Sequence, residues 1–276
     1  MTNATTSPSS RPSRVPVRAS DGDPGDPPRP VLTIRGLGLA ATAASPGGAP
    51  FAVVRDVDLE VAAGESVGLV GDSGSGKTMT ALAAMGVLPA GIEQVGGSVR
   101  VDGARAPAMI FQEPRSSLNP LLSVGYQIGE VLRLKGLRGR AVRRAGVDLL
   151  RRVAMPDPDE RYRAFPHELS GGQCQRVSIA MALAAEPAVL IADEPTTALD
   201  VSVQAQVLRL LDTLRREEGL ALWLITHDLA LVAATCERVA VMDAGRIVEQ
   251  GGRRQVFDDP AAPATRRLIE AARGEG

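Results

Sequence analysis

The sequence contains few cysteines, histidines, lysines and aromatic residues, and it has no long hydrophobic run. Its two cysteines, Cys174 and Cys236, lack metal-binding spacing, so we expect free thiols in a reducing compartment. No apolar stretch approaches the length that crosses a bilayer, so any attachment to a membrane must come through other subunits. The net charge of −1 gives no basic field and argues against a nucleic-acid partner.

One of the only two lysines, Lys77, lies in a glycine-rich loop that predicts a phosphate-binding site. The loop matches G-x-x-x-x-G-K-[ST] and follows an apolar, strand-like run, while residues 79–85 beyond it are rich in Ala, Leu and Met. Glycines let backbone N–H groups turn toward phosphate oxygens, and the start of a helix adds its positive dipole end. A Gly/Ser-rich surface turn is the alternative, which the flanking elements disfavour. The predicted nucleotide-binding residues of the loop are Gly71, Asp72, Ser73, Gly74, Ser75, Gly76, Lys77 and Thr78, and Thr78 is also assigned to Mg²⁺.

Four apolar, strand-like runs end at residues that could carry chemistry. They cover residues 66–70, 108–111, 189–192 and 221–226, and they lead respectively to the phosphate loop, to Gln112, to Asp193 with Glu194, and to His227. Continuous apolar runs indicate strands covered on both faces, and ligands of open α/β sheets lie at the carboxyl ends of parallel strands. We therefore predict an α/β fold in which these four strand ends converge.

The side chains at these strand ends predict a hydrolytic centre. Asp193 would complete the Mg²⁺ shell, directly or through water. Glu194 is the predicted general base that orients or deprotonates the attacking water, and Gln112 and His227 are predicted to position that water and the terminal phosphate. Taken alone, His227 would be interpreted as a loop histidine whose hydrogen bonds are made within the chain. Gln112 alone would be interpreted as a glutamine that is merely hydrogen-bonded. The place of His227 at the end of a fourth strand favours the functional interpretation.

Residues Ser170, Gly171, Gly172 and Gln173 form a second predicted phosphate-facing element, ahead of a helix-like run over 174–185. The S-x-x-Q spacing also matches a capping box, which is the structural alternative. Paired glycines are poor helix residues but permit a ligand to approach the backbone closely, and a helix start with a serine hydroxyl can bind an anion. Both interpretations can hold together. One loop and one such element per chain suggest that two chains share each nucleotide.

The composition and periodicity divide the chain into a core, an insertion and tails. With 276 residues and 44% hydrophobic content, the chain can form one large core or a core plus a subdomain. Residues 1–30, rich in Pro, Ser, Thr, Arg and Asp, predict a disordered tail. Residues 45–50 predict an exposed turn within a first sheet, and 99–103 part of a hairpin. Helical periodicity between 114 and 168 predicts a helical subdomain, set at about 114–178, inserted between two halves of the core.

Together these motifs resemble, in content and order, those of the ATP-binding subunits of ABC transporters, over about residues 31–270. The resemblance implies ATP and Mg²⁺ as cofactors, ATP hydrolysis, and a P-loop NTPase (RecA-like) core with an antiparallel β subdomain and an inserted α-helical subdomain. Residues 271–276 would form a short C-terminal tail. The matched motifs are the Walker A loop ending at Thr78, the Q-loop at Gln112, the signature at Leu169–Gln173, the Walker B strand ending at Asp193, the catalytic Glu194, the D-loop at Asp200 and the switch His227.

The same resemblance assigns three further contacts. It implies that Gln112 also contacts Mg²⁺ and that Asp200 lies at the nucleotide. An aromatic residue that stacks on adenine normally precedes the Walker A loop, and Phe51 is the only aromatic residue there, so Phe51 is the candidate.

Shorter matches, over residues 111–120 and 259–268, resemble the nickel and di/oligopeptide importer branch of this family. The branch implies two transmembrane permease subunits, a second ATPase subunit that is identical or related, and, indirectly, a solute-binding protein, with the chain peripheral at the cytoplasmic face of the cell membrane. Ala262 and Ala264 depart from the branch, where His and Tyr are usual, and no cysteine cluster follows. The alternative is a soluble ABC-type ATPase not coupled to transport. A P-loop kinase or GTPase would leave the signature unexplained.

Overall fold

The computed structural model describes residues 29–42, 50–103, 105–197 and 199–274, and most of the predicted N-terminal tail, residues 1–28, lies outside this range. Within it the strands are β1 (Pro30–Ala41), β2 (Phe51–Ala62), β3 (Ser66–Val70), β4 (Ile92–Val101), β5 (Ala108–Ile110), β6 (Val189–Asp193), β7 (Ala221–Ile225), β8 (Arg238–Asp243) and β9 (Arg246–Gly252). The helices are α1 (Lys77–Met85), α2 (Val124–Leu134), α3 (Arg140–Arg152), α4 (Pro158–Arg161), α5 (Gly171–Ala184), α6 (Val201–Glu218), α7 (Leu229–Thr235), α8 (Arg253–Asp258) and α9 (Pro263–Arg273).

The larger sheet has six strands in the order β5-β6-β7-β3-β8-β9. The first five strands are parallel, and β9 pairs antiparallel with β8 at one edge. The four strands that the sequence linked to chemistry are therefore four neighbours in the sheet. Because neighbouring parallel strands end at the same edge, the predicted convergence of the four strand ends is present in the fold.

The larger sheet is covered on both faces, as its continuous apolar strands predict. Along β7, Ala221, Trp223 and Ile225 face one core layer, which also contains α1 and the smaller sheet. Leu222 and Leu224 face the other layer, formed with helices that include α5, α6 and α7. Successive side chains of a strand point to opposite faces of the sheet, so the larger sheet lies between two core layers.

A second, three-stranded antiparallel sheet has the order β2-β1-β4. Its apolar face, which includes Ile34, Leu39 and Val57, is fully buried against the larger sheet. The predicted hairpin over 99–103 is wrong: residues 99–101 are the end of β4, whose partner is the distant strand β1. The predicted exposed turn over 45–50 lies outside the described residues except for Pro50. This architecture confirms the predicted α/β core with an antiparallel β subdomain.

Between β5 and β6 the chain forms the helices α2 to α5. Ser123 caps α2 by accepting a hydrogen bond from the Tyr126 N–H, and the helix buries Ile128 and Leu132. Helix α5 continues to Ala184, six residues past the limit of 178 that the sequence suggested for the helical insertion, and α9 continues to Arg273, past the suggested domain end at 270. In the part of the chain that the structure describes, no helix is long and apolar enough to cross a membrane.

Candidate active site

The phosphate loop connects β3 to α1 and needs glycine for two different reasons. A Cβ atom on Gly71 would overlap the backbone carbonyl oxygen of Met242, so no larger residue fits there. Gly76, the residue before α1, has a φ of 106°, which L side chains rarely adopt. The loop is fixed to its surroundings by the Gly245 N–H, which donates to the Ser75 carbonyl at 3.0 Å. The strand, loop and helix that the motif predicts are all present.

Lys77 lies inside the loop that it closes. Its Nζ donates to the carbonyl oxygens of Gly71 and Asp72, at 2.7 and 2.8 Å, and the residue is only 7% exposed. Burial lowers the pKa of Lys77, while the nearby carboxylates of Glu194 and Asp193 act in the opposite direction. A phosphate group can offer the ammonium better acceptors than these two neutral carbonyls.

Asp193 ends β6 with its side chain buried next to the phosphate loop. Burial raises the pKa of Asp193, and the Thr78 hydroxyl beside the carboxylate acts in the opposite direction. The residue is 5% exposed, and its Oδ1 atom has no hydrogen-bond partner among the described residues. A buried carboxylate oxygen that lacks a donor is suited to a cation, because Mg²⁺ prefers oxygen ligands. Thr78 and Asp193 therefore fit a Mg²⁺ site.

Glu194 adopts a left-handed backbone conformation, with a φ of 46°, at the step from β6 to the next loop. Its N–H donates to the Ile225 carbonyl of the neighbouring β7 at 2.8 Å. One carboxylate oxygen lies 2.7 Å from His227 Nδ1, and the other accepts from the Thr197 hydroxyl at 2.7 Å. Burial opposes the charge of Glu194, but the hydrogen bonds from His227 and Thr197 outweigh it and lower the pKa of the carboxyl.

The structure therefore places His227 and Glu194 in direct contact at the ends of two adjacent strands. The His227 side chain is 59% exposed, against 15% for Glu194, so the pair joins a largely buried carboxylate to a ring that solvent can reach. The contact places the ring beside the predicted general base, as the functional interpretation of His227 requires. Its role toward a phosphate remains a prediction.

Gln112 and Phe51 lie at the surface. Gln112 is exposed two residues after the end of β5, on the side of the sheet where the other strand ends meet. Phe51 begins β2 and is 67% exposed. Two residues further along β2, the Val53 carbonyl is 3.2 Å from the position that a Cβ on Gly76 would occupy. Phe51 is therefore on a strand that packs against the phosphate loop, and its contact with adenine stays a prediction.

The second predicted phosphate element forms the first turn of α5 and is capped as its sequence suggests. Ser170 Oγ accepts from the Gln173 N–H at 3.3 Å, and Gln173 Oε1 accepts from the Ser170 N–H at 3.0 Å. The capping interpretation is thus confirmed, and Ser170 remains exposed. A Cβ on Gly172 would lie 2.5 Å from Cγ1 of Val203 in α6, whereas one on Gly171 would meet Leu199 at an ordinary 3.5 Å. Close packing against Val203 therefore explains why residue 172 is glycine, a constraint that the sequence did not reveal.

Asp200 is the N-cap residue of α6. Its Oδ1 accepts hydrogen bonds from the backbone N–H groups of Ser202 and Val203 and from the Ser202 hydroxyl. The Ser202 hydroxyl is the main reason that the pKa of Asp200 is lowered. A contact between Asp200 and nucleotide stays a prediction, beside this capping role.

Two residues at the site were not singled out from the sequence. Thr197 holds the Glu194 carboxylate, and Arg115 donates to the Leu169 carbonyl at 3.3 Å, linking the segment after Gln112 to the turn before α5. The spacing of Thr197, three residues after Glu194, was a readable signal for a local hydrogen bond. Nothing local could have indicated the Arg115 contact, because 54 residues separate its partners.

A strand–loop–helix phosphate cradle with a buried lysine, next to a strand that ends in a buried aspartate, defines a P-loop nucleoside triphosphatase. A model of the family described as "ABC transporter" matches residues 54–197, just over half of the chain. The chain therefore belongs to the ABC transporter family, as its motifs indicated.

Two relatives and one solved structure show how far this similarity extends. The chain is 45% identical over 260 residues to the peptidoglycan transport ATP-binding protein YejF of Agrobacterium fabrum, covering 88% of this chain but only 47% of the relative. It is 44% identical over 239 residues to the dipeptide transport ATP-binding protein DppD of Escherichia coli, covering 81% of this chain and 73% of that protein. A dimeric structure of the ATP-binding cassette MJ0796, in a post-hydrolysis state with ADP and Pi, is 26% identical with a TM-score of 0.69, covering 81% of this chain and 99% of that one.

These similarities confirm the predicted P-loop fold and assign the chain to the ABC-type ATP hydrolases. The chain spans about half the length of the Agrobacterium fabrum relative. The remaining half of that relative has no counterpart in the aligned region.

Proposed function

We propose that this chain binds and hydrolyses ATP to energise a membrane importer of di- or oligopeptides. The observation that carries the proposal is the convergence of the phosphate loop, Asp193 and the Glu194–His227 pair at adjacent strand ends. These are the groups needed to bind a triphosphate, hold a cation and activate water at one place.

Binding would begin with the phosphate loop and Lys77. The backbone N–H groups and the start of α1 would receive the phosphates, and the Lys77 ammonium would exchange its two loop carbonyls for phosphate oxygens. Thr78 and Asp193, with Gln112, would hold Mg²⁺, which neutralises phosphate charge when bound. The buried, unpartnered oxygen of Asp193 supports this assignment.

Hydrolysis requires a water molecule that is oriented toward the γ-phosphorus. Glu194 would accept a hydrogen bond and then a proton from that water, as the water oxygen bonds to the γ-phosphorus and the bond between the γ-phosphorus and the ADP oxygen breaks. The carboxyl pKa is lowered by its hydrogen bonds, which keeps Glu194 ionised and able to act as an acceptor near neutral pH. His227 would steady this carboxylate, and its exposed ring would reach the terminal phosphate.

A second ATPase subunit, identical or related, would complete each site with the capped turn at Ser170–Gln173. Ser170 is exposed at the start of α5, and a helix start favours an anion through its free N–H groups and dipole. The MJ0796 cassette, a solved relative, is described as dimeric with ADP and Pi bound. Two nucleotides would then lie between the phosphate loop of one chain and the capped turn of the other.

ATP-driven association of the purified chain tests this two-chain site. We expect Glu194→Gln with Mg-ATP to shift from monomer to dimer in light scattering, because binding persists while turnover stops. Ser170→Arg in the same background should bind ATP through its own loop but remain monomeric. A Glu194→Gln chain that stays monomeric at saturating Mg-ATP would contradict a site shared by two identical chains. A Ser170→Arg variant that dimerises equally well would contradict the role assigned to the capped turn.

The importer assignment comes from the relatives. The two relatives described above are named for dipeptide and peptidoglycan transport, not for nickel, which favours the peptide side of the nickel-or-peptide expectation. The chain would act at the cytoplasmic face of the cell membrane, with two permease subunits and, indirectly, a solute-binding protein.

Purification of the Glu194→Gln chain with Mg-ATP from membranes of the source cell tests the coupling to transport. We expect hydrophobic permease subunits to co-purify, and di- or oligopeptides with the cognate binding protein, but not Ni²⁺, to stimulate ATP turnover of the reconstituted wild-type complex. Recovery of only soluble proteins would instead support an ABC-type ATPase that is not coupled to transport. Stimulation by Ni²⁺ alone would overturn the peptide assignment.

A further inference from the structure

The Glu194 carboxylate is held at both of its oxygens by side chains of its own chain. His227 Nδ1 contacts Oε1 at 2.7 Å, and the Thr197 hydroxyl donates to Oε2 at 2.7 Å. Two fixed points define the plane of the carboxylate as well as its position. A base held at a single oxygen could still rotate away from the water that it must orient.

The two contacts differ in how firmly they are placed. The His227 side chain is 59% exposed and lies 33 residues away along the chain, at the end of another strand. Thr197 lies three residues after Glu194 in the same turn, and its β-branched side chain has restricted rotation. Its N–H also points to the Glu194 carbonyl, at 3.4 Å. Thr197 can therefore keep hold of the carboxylate if His227 turns toward a phosphate.

We propose that Thr197 is a positioning residue for ATP hydrolysis, whose hydroxyl fixes the Glu194 carboxylate in the orientation needed to align the attacking water. The inference rests on the proposed role of Glu194 as general base. Thr197 acts on water only through Glu194, so its hydroxyl should affect the rate of the chemical step and leave ATP binding, which depends on the phosphate loop, nearly unchanged.

The test compares kcat and KM for Mg-ATP among variants of the purified full chain. Thr197→Val keeps the shape of the side chain and removes the donor, so we expect kcat to fall about tenfold and KM to stay within about twofold. Thr197→Ser keeps the donor and should retain at least about half of the wild-type kcat. Thr197→Ala should behave as Thr197→Val does, and it replaces that variant if the added methyl group disturbs folding.

Thr213→Val is the matched control. Its hydroxyl is exposed and donates to the Arg209 carbonyl within α6 at 2.8 Å, away from the strand ends. The same chemical change there should leave both kcat and KM unchanged. A Thr197→Val kcat within about twofold of wild type, or a Thr197→Ser kcat as low as that of Thr197→Val, would overturn the inference.

Glu194→Gln, measured in parallel, separates this inference from the proposed function. If Glu194→Gln retains wild-type turnover, Glu194 is not the base, and the proposed mechanism and the role of Thr197 both fail. If Glu194→Gln abolishes turnover while Thr197→Val matches wild type, only the positioning role fails.

Discussion

Gly172 in α5 and Val203 in α6 pack so closely that a Cβ on Gly172 would lie 2.5 Å from Val203 Cγ1. This contact joins the capped turn at Ser170–Gln173 to the helix that begins after Asp200. The second glycine of the turn is therefore required for packing inside one chain, whatever it contacts in a partner.

Replacing Gly172 by alanine should destabilise the protein. Overpacking typically costs about 1–3 kcal/mol, so we expect the free energy of unfolding to fall by about that amount. Chemical denaturation measures it. Gly171→Ala is the matched control, because its Cβ would meet Leu199 at an ordinary 3.5 Å. Adding Val203→Ala to Gly172→Ala should recover the loss, and an equal effect of both glycine substitutions would be evidence against the packing explanation.

Loss of the Lys77 ammonium should weaken ATP binding itself. In Lys77→Ala we expect the Kd for ATP, measured by calorimetry, to rise about tenfold or more, because a charge-assisted contact to phosphate is removed. The other lysine provides the control, since Lys135 pairs with Glu186 at 2.8 Å in the helical region and Lys135→Ala should leave the Kd unchanged. Wild-type affinity in Lys77→Ala would contradict the assignment of the loop.

Arg238 should contribute more to stability than the surface arginines do. Its side chain, 30% exposed, donates to the Glu65 carboxylate at 2.8 Å and to the Glu60 carbonyl, connecting β8 of the larger sheet to the smaller sheet. We expect Arg238→Ala to lower the free energy of unfolding by about 2 kcal/mol, as for lost hydrogen bonds to charged groups. Arg151→Ala removes two exposed ion pairs, with Asp148 and Asp159, and should change the free energy of unfolding by less than about 1 kcal/mol. Equal losses of unfolding free energy in Arg238→Ala and Arg151→Ala would show that the link between the sheets contributes little to stability.

Both cysteines should be unreactive in the folded protein. Cys174 and Cys236 are 0% and 1% exposed, and burial raises the pKa of each thiol, that of Cys236 to about 12. Reaction with Ellman's reagent at about pH 8 requires thiolate, of which a thiol with so high a pKa offers almost none. We expect no fast reaction in the native state and two reactive thiols after denaturation. Rapid modification of one native thiol would show that its core layer opens readily.

The local elements of the site were predictable because the signals that form them are local. Strand β3 occupies the predicted residues 66–70, and β6 covers the predicted run 189–192 and continues to Asp193. Helix α1 begins at Lys77, two residues earlier than its apolar pattern suggested, because the phosphate loop leads directly into the first turn.

The contacts that complete the site depend on how distant segments pack, so the sequence could not supply them. The capping box at Ser170 was readable, but the approach of Val203 to Gly172 was not, because it depends on how α5 crosses α6. The three-residue spacing of Thr197 from Glu194 did indicate a local hydrogen bond, but it did not indicate the left-handed conformation of Glu194, which is uncommon for a residue with a side chain. The order of the strands, which makes four functional ends neighbours, is likewise a property of the whole sheet.

The most direct test of the account is to measure ATP turnover and ATP affinity of Glu194→Gln together. Glutamine keeps the size of the side chain but cannot accept a proton from water. We expect turnover to fall about 100-fold or more, in line with loss of a general base, while the Kd for Mg-ATP stays within about threefold of wild type. Turnover close to wild type in the variant, with ATP still bound, would contradict the assignment of Glu194 as the catalytic base.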